Sequence, residues 1–538
     1  MNRPYYITTP IYYVNDVPHL GHAYTTIAAD ALARFHRSRG DDTYFLTGTD
    51  EHGQKIEEAA TSRGKTPQGL ADEVVDRFRA TWDTLSIRHD DFIRTTEDRH
   101  KRVVADMWRR LEAAGDIYLG RYDGWYCVSC EAYYAEGALE DDQSCPVHKR
   151  PAKWVSEPSY YFRMSRFQDA LLDHFDKHPE FVQPESYRNE ILSFIRSGLR
   201  DLSVSRTTFH WGVEVPGDPE HVVYVWIDAL TNYISALGGP GGAHYERYWP
   251  ATCHLIGKDI LRFHAVYWPC MLMSAGLPLP ETIVAHGWWT VRGEKISKSM
   301  PATRVDPNLI ASDIGADALR YFLLREVPLG LDGDFTYEAL LGRYNADLAN
   351  DLGNLLSRTL SMTVKFFGGE VPSARPELAD AEPHAGLRRV AVDAVREAAE
   401  AMGAYAPSRA LEAIWRLVRE TNRYVDTAQP WKLAKDPERR AELEHTTHAY
   451  LEALFWSARM VAPAMPNKAT EILAQLGLGD ESIARAMASW PDVERAGRDL
   501  EAGLVVKKPG PLFPRIDDER AAELLDRWVP DDAKPPKV

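Results

Sequence analysis

The chain has 538 residues, 44% of them hydrophobic and 26% charged, the composition of a water-soluble globular protein too long for a single ordinary core. Its formal net charge of −16 argues against a general nucleic-acid coat, which would be basic, but leaves room for a selective RNA partner on a local basic face. Five cysteines make no secreted disulfide framework, the opening residues Met1 to Tyr5 form no apolar signal, and no apolar run is long enough to span a bilayer. The expectation is a cytoplasmic protein without a membrane partner.

The aromatic and β-branched stretch Tyr5 to Val14 predicts a strand, and Tyr24 to Arg39 predicts a helix closed by Gly40. Between them lies Pro18-His19-Leu20-Gly21-His22. Histidines at a helix entry stand where end amides and the positive end of the dipole favour an anion. His19 and His22, three apart, project toward one side of that entry. Tyr44 to Asp50 reads as a second strand, Thr66-Pro67 opens a helix in the cap-then-proline pattern, and Arg99 to Ala114 is a further helix ended by Gly115. This alternation is the βαβ grammar of an α/β fold with a Rossmann-like, doubly wound parallel sheet, its first half at 1–115.

From 116 to 220 short strands and turns replace that rhythm, so an inserted connective domain is expected there. It contains Cys127-Val128-Ser129-Cys130 and Cys145-Pro146-Val147-His148. Two pairs of soft ligands at that spacing suit one tetrahedral Zn²⁺, structural because all four positions are protein; a disulfide or unrelated buried thiols is the alternative. Cys253 and Cys270, in apolar surroundings, read as core. The parallel sheet is expected to resume over 221–290, with strands at His221–Trp226, His254–Gly257 and Thr282–His286.

Next comes Arg292-Gly293-Glu294 and then Lys295-Ile296-Ser297-Lys298-Ser299, whose ammonium groups and hydroxyls suit phosphate oxygens. This loop and a connecting segment fill 291–343. Leu348, Leu352, Leu355 and Leu356 then open an Ala-, Leu- and Glu-rich region of helical period, read as an all-α bundle at 344–520 with a tail at 521–538, disordered from Ala533. Alone, the histidine segment reads equally well as a structural turn, and the lysine segment reads more simply as a solvated loop. Together, in this order around an α/β stretch, they read as a clamp on a nucleoside triphosphate.

The two segments, spelled HLGH and KISKS, resemble the HIGH and KMSKS signatures of the class I aminoacyl-tRNA synthetases. One spacer position in each departs from that spelling. The resemblance sharpens to the methionyl-tRNA synthetases and covers nearly the whole chain. Thr8 to Asn15, Thr47 to Gly53, Tyr224 to Ala229, Gly257 to Ile260, Asn354 to Arg358, and Asn422 through Pro430-Trp431 all look like that family. The Cys₃His knuckle matches one of its zinc variants, and there is no room for the editing domain of the related Ile, Val and Leu enzymes.

This resemblance implies that the chain activates L-methionine with ATP and transfers it to tRNA(Met), elongator and initiator. His19, His22, Lys295 and Lys298 would be catalytic, and His19, Gly21, His22, Gly257, Asp259 and Lys298 would bind ATP with its Mg²⁺. Asp50 would hold the methionine ammonium, with a helix cap as its plainer reading. Ile11, Tyr13, Trp226, Tyr233 and His264 would line the side-chain pocket, a hydroxyl or imidazole N–H donating weakly to sulfur, though core packing equally explains Trp226 and Tyr233. Arg206 would support the active site from the insertion. Asn354, Arg358 and Trp431 would read the anticodon, where a core tryptophan and a solvated polar pair are the bland alternative. The family's C-terminal dimer-forming module finds no space after Arg515, so a monomer is expected. A cysteine-specific class I enzyme and a non-catalytic tRNA-binding relative are the competing readings.

Overall fold

The computed structural model describes residues 2–15, 17–127, 132–134, 137, 139–140, 142–146, 150–291, 293–295 and 303–530, without the side chains of 122, 132–134, 157 and 295. Of the expected site residues, Cys130, His148 and Lys298 therefore lie outside the described residues, as do the side chain of Lys295 and the tail from Ala533.

The central sheet has six strands: β1 (Pro4–Tyr13), β2 (Asp42–Asp50), β3 (Asp91–Arg94), β4 (Val182–Gln183), β5 (Cys253–Gly257) and β6 (Ile283–His286). Its spatial order is β3-β2-β1-β5-β6-β4, every pair parallel. The order reverses between β1 and β5, the switch point at which doubly wound sheets open a crevice beyond the strand ends. Here the opening has a local cause. β1 pairs with β5 at Ile7 and Thr8, while it follows β2 as far as Tyr13 opposite Asp50. Pro10 has no N–H for a ladder, and the β1–β2 register shifts between Thr8 and Ile11 to pass it.

Helix α1 (Leu20–Ser38) follows β1 directly and α2 (Asp98–Ala113) follows β3. The first helix thus starts four residues before the Tyr24 expected from periodicity, so the histidine segment forms its cap and first turn. The insertion is an antiparallel sheet of Ile117–Cys127, Ala132–Tyr134, Lys153–Phe162 and Leu202–Ser203. Two expectations need correction here. The chain does not stay outside the main sheet over 116–220, because β4 lies within that span; two residues carry no readable strand signal. The stretch from His221 does not rejoin the parallel sheet either. Asp218–Val223 pairs antiparallel with Glu214–Val215 and Ser205–Arg206, and Val225–Ser235 is a helix, α3. That helix is buried almost all round, so its apolar run has no amphipathic period and looks like a strand.

Beyond β6, Trp289–Val291 pairs with Glu294–Lys295 and Gly333–Asp334. The connecting segment contains α4 (Ala316–Arg325). A π-helical turn, Tyr344–Gly353, runs into α5 (Asn354–Phe367), and α6 (His384–Gly403), α7 (Pro407–Ala428) and α8 (Arg440–Val461) complete the main bundle. The supposed tail from residue 521 falls inside a docked helix, Asp518–Trp528, capped by Asp517. Trp528 is buried and donates from Nε1 to Asp313 Oδ2 at 2.8 Å, and its carbonyl accepts from the Tyr337 hydroxyl at 3.0 Å. Its 3.6-residue period was outweighed by the charged residues around it.

One apolar cluster covers the α1 face of the sheet and continues through α4 into the bundle, joining Ile27, Phe35, Phe322, Leu352, Trp415 and Trp456. A second covers the opposite face with Leu46, Ile93, Trp108, Tyr233, Ile256 and Trp268. Cys253 and Cys270 lie within these cores, as expected. Within the shared core Arg320 of α4 is fully buried. Its guanidinium donates to Asp30 Oδ2 of α1 at 2.7 Å, to the Pro463 and Ala464 carbonyls of the bundle at 2.9 and 2.8 Å, and to the Leu85 carbonyl at 3.2 Å. Among the described residues no helix is long and apolar enough to cross a membrane.

Candidate active site

The histidine segment is a reciprocal cap. His19 is the N-cap of α1: its Nδ1 accepts from Gly21 N–H at 3.0 Å, and His22 Nδ1 accepts from His19 N–H at 3.2 Å. The rings stack at 3.7 Å between centroids. An imidazole nitrogen that accepts carries no proton, so both neutral rings hold their proton on Nε2 and present it as a donor. Gly21 is required for this closeness, since a Cβ there would stand 2.9 Å from His19 Cε1. His286, at the end of β6, donates from Nδ1 to Gly287 O at 2.8 Å, and its Nε2 accepts from Thr25 of α1 at 2.7 Å, which ties the helix entry to the sheet edge.

The other residues expected at the nucleotide come from β5, next to β1, and the turn after it. Gly257 ends β5, and Asp259 follows in a short 3₁₀ turn, accepting from Trp288 Nε1 at 3.1 Å. A Cβ at position 257 would lie 2.7 Å from Asp259 Oδ1, so the glycine keeps the backbone open beside that carboxylate. The backbone of Lys295 pairs with Thr290 across a hairpin turning at Gly293, φ +75°.

Asp50, buried, ends β2 directly opposite Tyr13 of β1. Ile11 and Tyr13, half-buried, lie on the part of β1 beyond its pairing with β5. Trp226 and Tyr233 come from α3 and His264 from the π-helical turn Phe263–Tyr267. These three form one cluster: Trp226 and His264 are 6.4 Å apart edge-to-face, and the Tyr233 hydroxyl meets His264 Nε2 at 2.6 Å. His264 Nδ1 lies 2.9 Å from the Ile260 carbonyl and must donate to it, so Nε2 accepts the Tyr233 proton. Burial lowers the His264 pKa to about 4, keeping the ring neutral. The proton order corrects the expected chemistry. Imidazole N–H and hydroxyl proton are both engaged inside the protein, so neither is left as the donor to sulfur that was expected.

The remaining expected residues fall in three places. Arg206 is buried in the small insertion-side sheet, bonded to Ser203 Oγ and Ser205 O at 3.0 and 2.7 Å, with its guanidinium 4.5 Å from the Tyr224 ring centre. Cys127 ends a strand and Cys145 sits beside a turn where its N–H bonds the Arg150 carbonyl at 2.8 Å; both are buried. In the bundle, Asn354 is exposed at the start of α5, and Arg358 reaches Asp426 of α7 at 2.5 Å. Trp431 follows the end of α7 across Gln429, φ +49°, and is 37% exposed, against the expectation for a core tryptophan.

Several neighbours escaped the sequence reading. Phe263 stacks on Trp226 at 3.7 Å, and His254 packs 4.1 Å from Tyr233 with its Nδ1 on Thr8 Oγ1 at 2.8 Å. His52, two residues after Asp50, bonds Asp228 of α3 at 2.6 Å. His52 and Asp228 stand inside the very segments that carry the resemblance, and a charged residue in an apolar helix was the available signal for Asp228.

Known proteins resemble the chain over nearly its whole length. A family model described as class I tRNA synthetases (M) matches residues 5–152 and 137–360, and one described as the anticodon binding domain of methionyl tRNA ligase matches 379–532. The chain is 46% identical to a methionine–tRNA ligase of Caldanaerobacter subterraneus subsp. tengcongensis, over all of this chain and 83% of the relative. It is 48% identical to one from Rickettsia bellii, over 96% of this chain and all of the relative. The solved structure of Mycobacterium tuberculosis methionyl-tRNA synthetase in complex with methionyl-adenylate superposes with a TM-score of 0.90 at 44% identity, covering 95% of this chain and all of that one. The free form of that enzyme gives 0.85 at 42%, covering 96% and 99%. The chain belongs to the class I methionyl-tRNA synthetases, the methionine–tRNA ligases.

Proposed function

We propose that the chain joins methionine to tRNA(Met), elongator and initiator, in two steps carried out at the switch-point crevice. The methionine carboxylate attacks the α-phosphate of ATP and expels pyrophosphate; the terminal ribose hydroxyl of the tRNA then attacks the acyl carbon of the adenylate, forming the ester and releasing AMP, with the hydroxyl proton lost. The observation that carries this reading is the histidine cap. Its two Nε2 protons stand at a helix N-terminus beside a parallel-sheet crevice, where donors fixed in advance stabilise charge as it develops on phosphate. Lys295 and Lys298 add two ammonium groups toward the phosphates, and Lys298 is the larger contributor. Gly257 and Asp259 receive the ribose. Asp50 holds the α-ammonium through a charge-assisted hydrogen bond, and Ile11, Tyr13, Trp226, Tyr233 and His264 enclose the side chain. Arg206, fixed by its serine and tyrosine contacts, orders the insertion side of the site. Magnesium arrives with ATP and offsets its phosphate charge.

Residues 1–290, less the insertion, form the catalytic unit, and the bundle from 344 reads tRNA through Asn354, Arg358 and Trp431, an exposed aromatic beside polar groups being a stacking platform for an unpaired base. Cys127, Cys130, Cys145 and His148 hold one structural zinc. The donor chemistry suits it, and the two described thiols, Cys127 at a strand end and Cys145 beside a turn, are both buried. The enzyme acts in the cytoplasm as a monomer.

The test is ATP–pyrophosphate exchange with a panel of amino acids. Exchange above background with methionine, and not with cysteine, leucine or isoleucine, is the expected result. Exchange driven by another amino acid, or tRNA binding without exchange, would overturn it.

A further inference from the structure

Beside the pocket runs a chain of four buried polar side chains that the mechanism above does not use. His52 Nδ1 meets Asp228 Oδ2 at 2.6 Å, His100 Nε2 meets Asp228 Oδ1 at 2.7 Å, and His100 Nδ1 meets Ser235 Oγ at 2.7 Å. None of the four is more than 2% exposed. Both carboxylate oxygens are thus taken by imidazoles. Burial alone would raise the Asp228 pKa, yet its two histidine partners hold it well below the usual carboxylate range.

The placement of this chain is what gives it meaning. His52 lies on the loop that closes β2, two residues after Asp50. Asp228 and Ser235 lie on α3, two residues after Trp226 and Tyr233 respectively, and His100 comes from α2. The β2 loop is anchored on its other side by Glu51. That carboxylate accepts from Arg94 at 2.7 and 3.0 Å and from Thr96 at 2.5 Å, while Trp211 Nε1 bonds the Glu51 carbonyl at 2.5 Å. Glu51 therefore fixes the loop toward β3, and His52–Asp228 ties it to α3. The two ends of the amino-acid site sit on these two elements, the ammonium end on the loop and the side-chain end on the helix.

We infer that His52, Asp228 and His100 are positioning residues that set the distance between the ammonium subsite at Asp50 and the side-chain subsite at Trp226 and Tyr233, and so select side-chain length. This rests on the assignment of Asp50, Trp226 and Tyr233 to methionine. A buried imidazole–carboxylate bond suits the task because both partners are rigid and desolvated, so the spacing it imposes has little freedom to drift. A merely structural bond would affect stability and all substrates alike. A spacing bond changes the ranking of amino acids that differ by one methylene.

The experiment is methionine-dependent pyrophosphate exchange in His52→Ala, His52→Asn and Asp228→Asn, with S-methylcysteine and ethionine as the analogues one methylene shorter and longer. In His52→Ala the KM for methionine rises at least roughly tenfold while that for ATP stays within about twofold, and the kcat/KM preference for methionine over both analogues falls at least about fivefold. His52→Asn, whose amide nitrogen replaces Nδ1, restores most of that preference. The double variant His52→Ala with Asp228→Asn shows the analogue preference of Asp228→Asn alone, because that change already disturbs the His52 bond together with the one to His100. Unchanged analogue preference in a His52→Ala protein that unfolds at the parent's temperature would overturn the inference, and His52→Ala alone suffices if Asp228→Asn does not fold. Asp50→Asn and Tyr233→Phe are run beside them. If these leave the methionine KM unmoved, the pocket assignment fails and the inference with it; if they raise it while His52→Ala keeps its preference, only the spacing role is lost.

Discussion

Replacing Arg320 by methionine removes the cation from a pair in which both side chains are fully buried. Taking one partner from such a pair strands a charge away from water and costs about 3–5 kcal/mol. Asp30 keeps Arg34 Nε at 2.7 Å and the Arg88 N–H at 2.9 Å, so its share falls at the lower end. Three backbone carbonyls, of Leu85, Pro463 and Ala464, lose their donor as well. A loss of about 3–5 kcal/mol is therefore expected, read as a fall in the urea midpoint at unchanged slope. A single transition is expected, because one apolar cluster spans α1, α4 and the bundle. The pH dependence has a definite sign. Burial raises the Asp30 pKa, but Arg320 and Arg34 more than offset this and hold it below its ordinary value. Its contribution is thus present above roughly pH 4, the unfolded carboxylate value, and lost as pH falls through the lowered folded one. Arg320→Met raises that folded value and moves acid unfolding to higher pH. Arg439→Met, in the exposed Arg439–Glu442 pair, is the control and leaves the urea midpoint in place. A change under about 1 kcal/mol in Arg320→Met, or an acid midpoint that does not move, would refute the reasoning.

The histidine cap gives a second expectation: Gly21→Ala pushes its methyl into His19 Cε1 and lowers pyrophosphate exchange about a hundredfold while the thermal midpoint holds, and full activity would show that the ring geometry is immaterial. Cys145→Ser lowers zinc, measured by elemental analysis, from one atom per chain and depresses the thermal midpoint; a metal-free parent protein would dismiss the zinc site. Trp431→Ala weakens tRNA binding by about 1–3 kcal/mol and slows tRNA charging much more than tRNA-independent exchange, and equal losses in both assays would remove the residue from RNA recognition.

Much of the fold was legible because its signals are local. β1 and β2 alternate with capped helices, Thr66-Pro67 opened a helix as written, and Leu348, Leu352, Leu355 and Leu356 all turned inward in the bundle. The failures share a cause. β4 is two residues long and owes its place to β6, and α3 is buried on every side, so neither leaves a period in the sequence. The helix Asp518–Trp528 has a period but also enough charge to pass for a solvated tail, and what fixes it is Asp313, far away in the chain.

The site divides along the same line. Residues whose chemistry needs a terminus or a loop, such as His19, Gly21, Asp50 and Gly257, stand at strand ends and helix entries that the sequence marks. For residues whose chemistry depends on where a proton sits, the sequence names the groups but not their donor and acceptor roles. Tyr233 and His264 do meet, at 2.6 Å, yet only the Ile260 carbonyl on the far side of the ring decides that the imidazole accepts from the phenol. The same holds for His19 and His22, where two backbone N–H groups occupy Nδ1 and so place each ring proton on Nε2. In both cases a main-chain atom sets the tautomer, and main-chain atoms have no letter in the sequence. The pattern of residues therefore says which groups are present, while which of them donate and which accept is a property of the folded backbone. On the proposed assignment, the methionine sulfur meets no hydroxyl donor from Tyr233, and shape, aromatic contact and the spacing proposed for Asp228 tell methionine from its neighbours.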